Sequence, residues 1–436
     1  MRNALDTTPF ELAIHDLDDD GRGVGRLGDR VIFVKGALPG ERIMAKRFRQ
    51  HRRFDEAEVL EVLEAAPERT EPRCAHFNVC SGCTLQHLAP AVQLERKQAG
   101  LIEQLKRIGG VSPERVLPPL TGPAFGYRRR ARLSVKRVDK KNKTLVGFRE
   151  GDGRFVADLS QCPVLVPVFG ERLASLGQLV DRLSRPTAIV QAEVAAGDDG
   201  AAMILRHFDP LSDKDKAKLQ AWGAEHGIAI WLQAGGPDSV TPLSPDAGPL
   251  RYTLDEGALS LAFGPQDFVQ VNAELNRKMI ALALELLDLK PGERIADLFC
   301  GLGNFTLPLA RRGAEVIGIE GDAGLIERAR ANASAHGLAI DWRVANLFDA
   351  GQLAALGDLG VSALLLDPPR AGAAEVVSTL PLDGVERIVY VSCHPGTLAR
   401  DAGTLVRERG YRLVAAGVMD MFPHTSHVES IALFQR

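Results

Sequence analysis

Asp297-Leu298-Phe299-Cys300-Gly301-Leu302-Gly303-Asn304-Phe305-Thr306 is the stretch that decides the fold. An apolar run from 294 ends in it, and an apolar segment able to form a helix follows. Glycines at 301 and 303 let a backbone approach a ligand closely where a strand turns into a helix. Outward from it, further strands are expected at 315–319, near 340–344, at 361–366 and at 387–392, with helices at 275–289 and 323–336. Residues 361–366 are apolar almost throughout, as a buried parallel strand is. Strands alternating with helices predict a doubly wound α/β domain whose ligands bind at the carboxyl ends of the strands.

The glycine loop lacks the full GxGxxG, which weakens a dinucleotide reading. Glu320 ends the second strand, where an acid can accept hydrogen bonds from both ribose hydroxyls. Together these favour S-adenosylmethionine. Two further strand ends carry chemistry: Asp367-Pro368-Pro369-Arg370, a rigid loop beside an acid, and Val391-Ser392-Cys393-His394-Pro395. A lone cysteine is more often a packing residue, but at this strand end Cys393 is a candidate nucleophile. A thiolate adding to carbon 6 of a uracil makes carbon 5 nucleophilic, and a base must later remove the carbon 5 proton. Glu429, entering the last strand (430–434), is the chosen base; His424 and His427 are alternatives.

The chain has 436 residues, 45% hydrophobic and 25% charged, which excludes a disordered or collagen-like chain and a disulfide miniprotein. The formal charge of −3 is not spread evenly: residues 1–150 hold 28 Lys/Arg and 20 Asp/Glu, or +8, and the rest is −11. A basic first third fits an anionic polymer. Residues 10–63 read as glycine-punctuated β-strands of an OB-like barrel, 67–72 as a linker and 90–110 as a helix. Residues 128–136 alternate with period two, putting Arg128, Arg130, Arg132 and Lys136 on one face of a hairpin and Ala131, Leu133 and Val135 on the other. Residues 235–249 read as a long loop. The N-terminus has no apolar h-region and no segment is a membrane span, so the cytoplasm is the expected compartment.

In that compartment Cys74, Cys80, Cys83 and Cys162 suit a tetrahedral zinc or a [4Fe–4S] cluster, which spacing does not separate. They lack the Cys-x3-Cys-x2-Cys pattern of radical chemistry, and four ligands close a site, so a structural role is expected. Cys300 has the reading of a small packing residue.

Phe268-Val269-Gln270-Val271-Asn272, the glycine loop, Asp367-Pro368-Pro369-Arg370, Val391-Ser392-Cys393-x-Pro395 and His427-x-Glu429-Ser430 together resemble the RNA (uracil-C5)-methyltransferase family. With the four cysteines and the barrel, the chain is most similar to the bacterial members that act on 23S rRNA. The resemblance spans essentially the whole chain. It implies a TRAM-type OB barrel (1–66), a central β-rich Fe–S domain (67–262) and a Rossmann-like S-adenosylmethionine methyltransferase domain (263–436), helix 90–110 being free to pack on the last. It implies Cys393 as nucleophile, Glu429 as base, and Gln270, Phe299, Asn304, Glu320, Asn346 and Asp367 as cofactor contacts. It implies a [4Fe–4S] cluster rather than zinc on the four cysteines. The implied substrate is a single-stranded or loop segment of 23S rRNA with one uridine flipped out, met by a cytoplasmic monomer that touches no membrane. Pro369 departs from the pattern, some members having a small residue there. The alternatives are a tRNA uracil-C5 methyltransferase and a non-catalytic RNA-binding or redox Fe–S protein.

Overall fold

The computed structural model describes residues 5–151, 153–245 and 247–436. Strand Ala363–Leu366 is buried on both faces. Ala363 and Leu365 join a core with helix Ala273–Leu287; Leu364 and Leu366 join a second core with helix Pro395–Arg407. Each leucine so buried contributes about 2 kcal/mol. That strand lies inside an eight-stranded sheet in the order Asp341–Val344, Glu315–Glu320, Arg294–Leu298, Ala363–Leu366, Arg387–Ser392, Glu429–Gln435, Arg412–Met419, Arg115–Val116. The first five are parallel, and Glu429–Gln435 runs antiparallel to its neighbours. The order reverses between Arg294–Leu298 and Ala363–Leu366, which opens a crevice at their carboxyl ends.

The segment expected as one helix over 90–110 is helix α1 (Pro90–Gln104) followed by a π-helical turn, Leu105–Gly109. Its Leu101 and Leu105 are fully buried with Leu398 and Leu405, so it packs on the eight-stranded layer.

The N-terminal strands close a barrel in the order β1-β2-β3-β5-β4: β1 (Phe10–Leu17), β2 (Gly23–Leu27), β3 (Arg30–Lys35), β4 (Arg42–Gln50) and β5 (Phe54–Glu64). Strand β2 falls where the glycines read as punctuation. A Cβ on Gly23 would lie 2.8 Å from Ala37 Cβ, and one on Gly25 2.7 Å from Leu12, so these glycines are interior strand positions of a tight barrel.

Between the two lies a mixed six-stranded sheet, ordered Val240–Pro242, Ile228–Gln233, Ala201–His207, Ile189–Ala196, Arg130–Val138, Lys143–Gly147, together with helices Leu173–Asp181 and Asp213–His226, which share its core. Its first strand lies within the segment read as a loop. On Arg130–Val138 the alternation holds: Ala131, Leu133 and Val135 are buried, Arg132 and Lys136 exposed. Among the described residues no helix is long and apolar enough to cross a membrane.

Candidate active site

The glycine loop sits at the crevice. Phe299, Gly301 and Gly303 have φ of 64°, 54° and 90°. Two of the three are glycines because this region penalises a Cβ; Phe299 carries backbone strain at the crevice. Glu320 ties the loop down: its Oε2 accepts from Gly301 N (3.2 Å) and its Oε1 from Gly321 N (2.7 Å) and Asp322 N (3.1 Å). One lone pair of Oε2 is left for a ligand hydroxyl. Asp297, fully buried, accepts from Thr306 Oγ1 at 2.5 Å, and its Oδ1 has no partner. Burial, with Glu320 nearby, pushes its carboxyl up to about 7 against the Thr306 hydrogen bond. Phe299 and Phe348 place their rings 5.6 Å apart at the rim, and exposed Asn346 accepts from Phe348 N at 3.1 Å. The side chain of Asn304 is held on two sides: Oδ1 accepts from Tyr252 Oη and Asn276 Nδ2, and one N–H of Nδ2 donates to Asn276 Oδ1, which leaves the second N–H to donate. Nothing in the sequence pointed to Tyr252 or Asn276, which lie 52 and 28 residues away from it.

Three predicted residues meet at the adjoining strand ends. Ser392 pairs with Ser430 where the antiparallel ladder ends, so Cys393 and Glu429 are the next residues beyond that pair, near enough for the Glu429 charge to act on the thiol. Cys393 is half-buried and immediately precedes His394, the cap of helix Pro395–Arg407, whose Nδ1 accepts from Thr397 N. Burial pushes its thiol up to about 11, and Glu429 and Asp367 add to that; Arg370 and the helix end act in the opposite direction. Asp367 keeps some open surface, yet loss of bulk water and the Glu429 and Asp297 carboxylates push its carboxyl well above the usual range. Glu429 is 8% exposed, with His427 Nε2 3.4 Å from its Oε1; Arg370 Nη2 lies 3.0 Å from His427 Nδ1. His424 is elsewhere: it is buried against Phe125, and its carbonyl accepts from Thr84 N and Leu85 N, both at 2.9 Å.

Gln270 is held by the arginine run. Arg129 Nε donates to its carbonyl at 2.9 Å, Arg129 N donates to Val271 O, and Arg130 Nη2 donates to Gln266 O. Arg128 Nε donates to Arg130 O at 3.1 Å and the side chain lines a cavity with the cysteines, so of the expected row Arg132, paired with Glu193 at 2.9 Å, and Lys136 stay exposed. Arg130 is drawn inward because the segment before Asn272 offers carbonyls that need donors. Phe268 beside it is 69% exposed, an unusual state for a large aromatic.

Cys74, Cys80, Cys83 and Cys162 line one cavity with Phe77, Phe148, Leu159 and Arg128. Burial pushes Cys80 up to about 11 and Cys83 up to about 12, the neighbouring thiols adding to it, and raises Cys162 as well. Among the described residues no group of three or more His, Cys, Asp or Glu is arranged to hold a metal ion.

A family model described as tRNA (Uracil-5-)-methyltransferase matches residues 254–436. A protein of Xanthomonas oryzae pv. oryzae named 23S rRNA (uracil(1939)-C(5))-methyltransferase RlmD is 56% identical over 100% of this chain and 99% of its own. The same name belongs to a relative in Stenotrophomonas maltophilia, 54% identical with the same coverage. Among solved structures, the Pyrococcus abyssi tRNA (uracil-54, C5)-methyltransferase in complex with S-adenosyl-L-homocysteine is similar at a TM-score of 0.75 and 26% identity, covering 98% of this chain and 100% of that one.

Proposed function

The chain belongs to the RNA (uracil-C5)-methyltransferase family, and on that premise we propose that it methylates carbon 5 of a specific uridine in 23S rRNA, using S-adenosylmethionine. The observation that carries this reading is the strand end at Ser392 and Ser430, beyond which Cys393 and Glu429 come close to one another and to Asp367. Full-length likeness to relatives named for 23S rRNA favours that substrate over tRNA.

In the mechanism, Cys393 adds as thiolate to carbon 6, and the ring electrons move to make carbon 5 nucleophilic. The N-terminus of helix Pro395–Arg407 and the Arg370 guanidinium favour the thiolate. S-adenosylmethionine supplies the methyl group as a sulfonium electrophile. Glu429 then takes the carbon 5 proton; the freed electron pair forms the C5–C6 double bond and expels Cys393. Asp367 stands beside Cys393, its carboxyl pushed well above the usual range by burial and by the Glu429 and Asp297 carboxylates. Glu320, with a lone pair of Oε2 open, would bind the ribose of the cofactor, and Phe299, Asn346 and Gln270 would contact the rest of it. Asn304, oriented by Asn276 and Tyr252, would contribute the remaining N–H of its amide.

The four cysteines are assigned a [4Fe–4S] cluster. Zinc and a cluster are both held by cysteine thiolates, and the four thiols line one apolar cavity in which such a group would sit. Their raised thiols would ionise on binding it. The cluster would join 74–83 to 162 and brace the Thr84–Leu85 contact with His424, a structural task. RNA is met by the barrel and by Arg132 and Lys136.

The test is mass-spectrometric mapping of 5-methyluridine in rRNA and tRNA from a strain lacking the protein. Loss from one site in 23S rRNA supports the reading. Loss from tRNA alone moves the substrate, and loss from neither removes the activity.

A further inference from the structure

His427 has no part in those roles, and Arg370 has only the electrostatic one toward Cys393. We propose that Arg370 and His427 form a positioning dyad that presents an N–H to the Glu429 carboxylate and aims it at the carbon 5 proton. This rests on the reading of Glu429 as the base.

The argument is one of donors and acceptors. A guanidinium only donates. With Arg370 Nη2 3.0 Å from His427 Nδ1, that nitrogen is the acceptor, and the ring proton sits on Nε2. Nε2 is the atom 3.4 Å from Glu429 Oε1. In this tautomer His427 cannot take a proton through Nε2; that nitrogen stands 3.4 Å from Glu429 Oε1, and the dyad as proposed has it donate a hydrogen bond there in the loaded site. Among the described residues His427 is the one basic side chain within ion-pair distance of Glu429, whose burial makes a donor necessary. The ring is fixed from other sides too: Phe422 meets it edge-on at 4.5 Å, and Thr425 Oγ1 accepts from His427 N at 3.3 Å. Arg370 is held through its carbonyl by Thr397 Oγ1 at 3.3 Å. Arg370 and His427 are 57 residues apart, and only the adjoining strand ends bring them together.

The step affected comes after methyl transfer. The carbon 5 proton goes to Glu429, its electron pair closes the C5–C6 double bond, and the bond from carbon 6 to Cys393 breaks. Slowing this step leaves the methylated RNA joined to Cys393. The test uses the full chain, S-adenosylmethionine and a 23S rRNA fragment holding the target uridine. Turnover and the denaturation-resistant RNA–protein adduct are followed in E429Q, H427F and H427Q, with S-adenosylhomocysteine binding as the check on folding. E429Q and H427F are expected to accumulate the methylated adduct, with turnover in H427F down roughly 10- to 100-fold. H427Q, which keeps an N–H at similar reach, is expected to recover most of that loss and shed the adduct. No adduct in H427F while E429Q accumulates it overturns the dyad. So does an H427Q protein as slow as H427F, because a base and not a donor would then be missing. Absence of adduct in E429Q instead overturns the role of Glu429.

Discussion

Asp297→Asn removes a buried acid from the end of strand Arg294–Leu298 and should stabilise the free protein at high pH only. The Asp297 carboxyl moves from an ordinary 3.8 to about 7 because it is buried. Below pH 4 it is protonated whether the chain is folded or not, and the burial costs nothing through ionisation. Between pH 4 and 7 the unfolded chain has released a proton that the folded one retains, so stability falls as pH rises. Above 7 the loss is complete. Three pH units at about 1.4 kcal/mol each come to about 4 kcal/mol. The amide does not titrate and can still accept from Thr306, while its other polar atom stays unpaired, as Oδ1 is now. That fixed cost of about 1–3 kcal/mol does not vary with pH. The stability of D297N relative to the parent should therefore rise by about 3 kcal/mol between pH 5 and pH 8. Urea unfolding of both proteins at pH 5, 6.5 and 8 measures it. A difference that stays constant over that range refutes the reasoning.

Alkylation of Cys393 by iodoacetamide, read by peptide mass spectrometry, should climb close to tenfold per pH unit from 7 to 10, since its thiol is pushed up to about 11; a plateau by pH 8 contradicts this. Gly303→Ala sets an alanine at φ 90°, with its Cβ against Leu307. The strain of about 2 kcal/mol should weaken S-adenosylhomocysteine binding roughly 30-fold in calorimetry; unchanged affinity contradicts the placing of the cofactor. Lys136→Glu should weaken RNA binding at all sequences and flatten its dependence on salt by about one in log–log slope, measured by filter binding; an unchanged slope removes Lys136 from the phosphate path. Cys162→Ser should abolish the thiolate–iron absorbance of anaerobically purified protein and lower its melting temperature; parent protein with bound zinc and no such band contradicts the cluster.

Strands Arg294–Leu298, Glu315–Glu320 and Ala363–Leu366 were legible because each is a largely apolar run leading into a glycine, an acid or a proline. Ala363–Leu366 could only be a doubly covered parallel strand, and the ladder of Arg387–Ser392 then fixed what Cys393 faces. Strand β2 was not legible, since Gly23 and Gly25 signal a turn until the barrel interior shows why a side chain cannot fit. Arg130 matched the exposed face by period, but period cannot report that the carbonyl of Gln266 awaits it. The Asn276–Asn304 amide pair and the Arg370–His427 contact join residues 28 and 57 positions apart. Such contacts are decided by tertiary packing, and no local pattern encodes them.

The most direct test of covalent catalysis uses a 23S rRNA fragment with 5-fluorouridine at the target position. Carbon 5 then carries fluorine, which Glu429 cannot remove as it would a proton, so the thiol bond to carbon 6 cannot break. After digestion, mass spectrometry should find methylated fluorouridine attached to Cys393. An adduct on another residue, or none with S-adenosylmethionine present and RNA bound, would contradict the account.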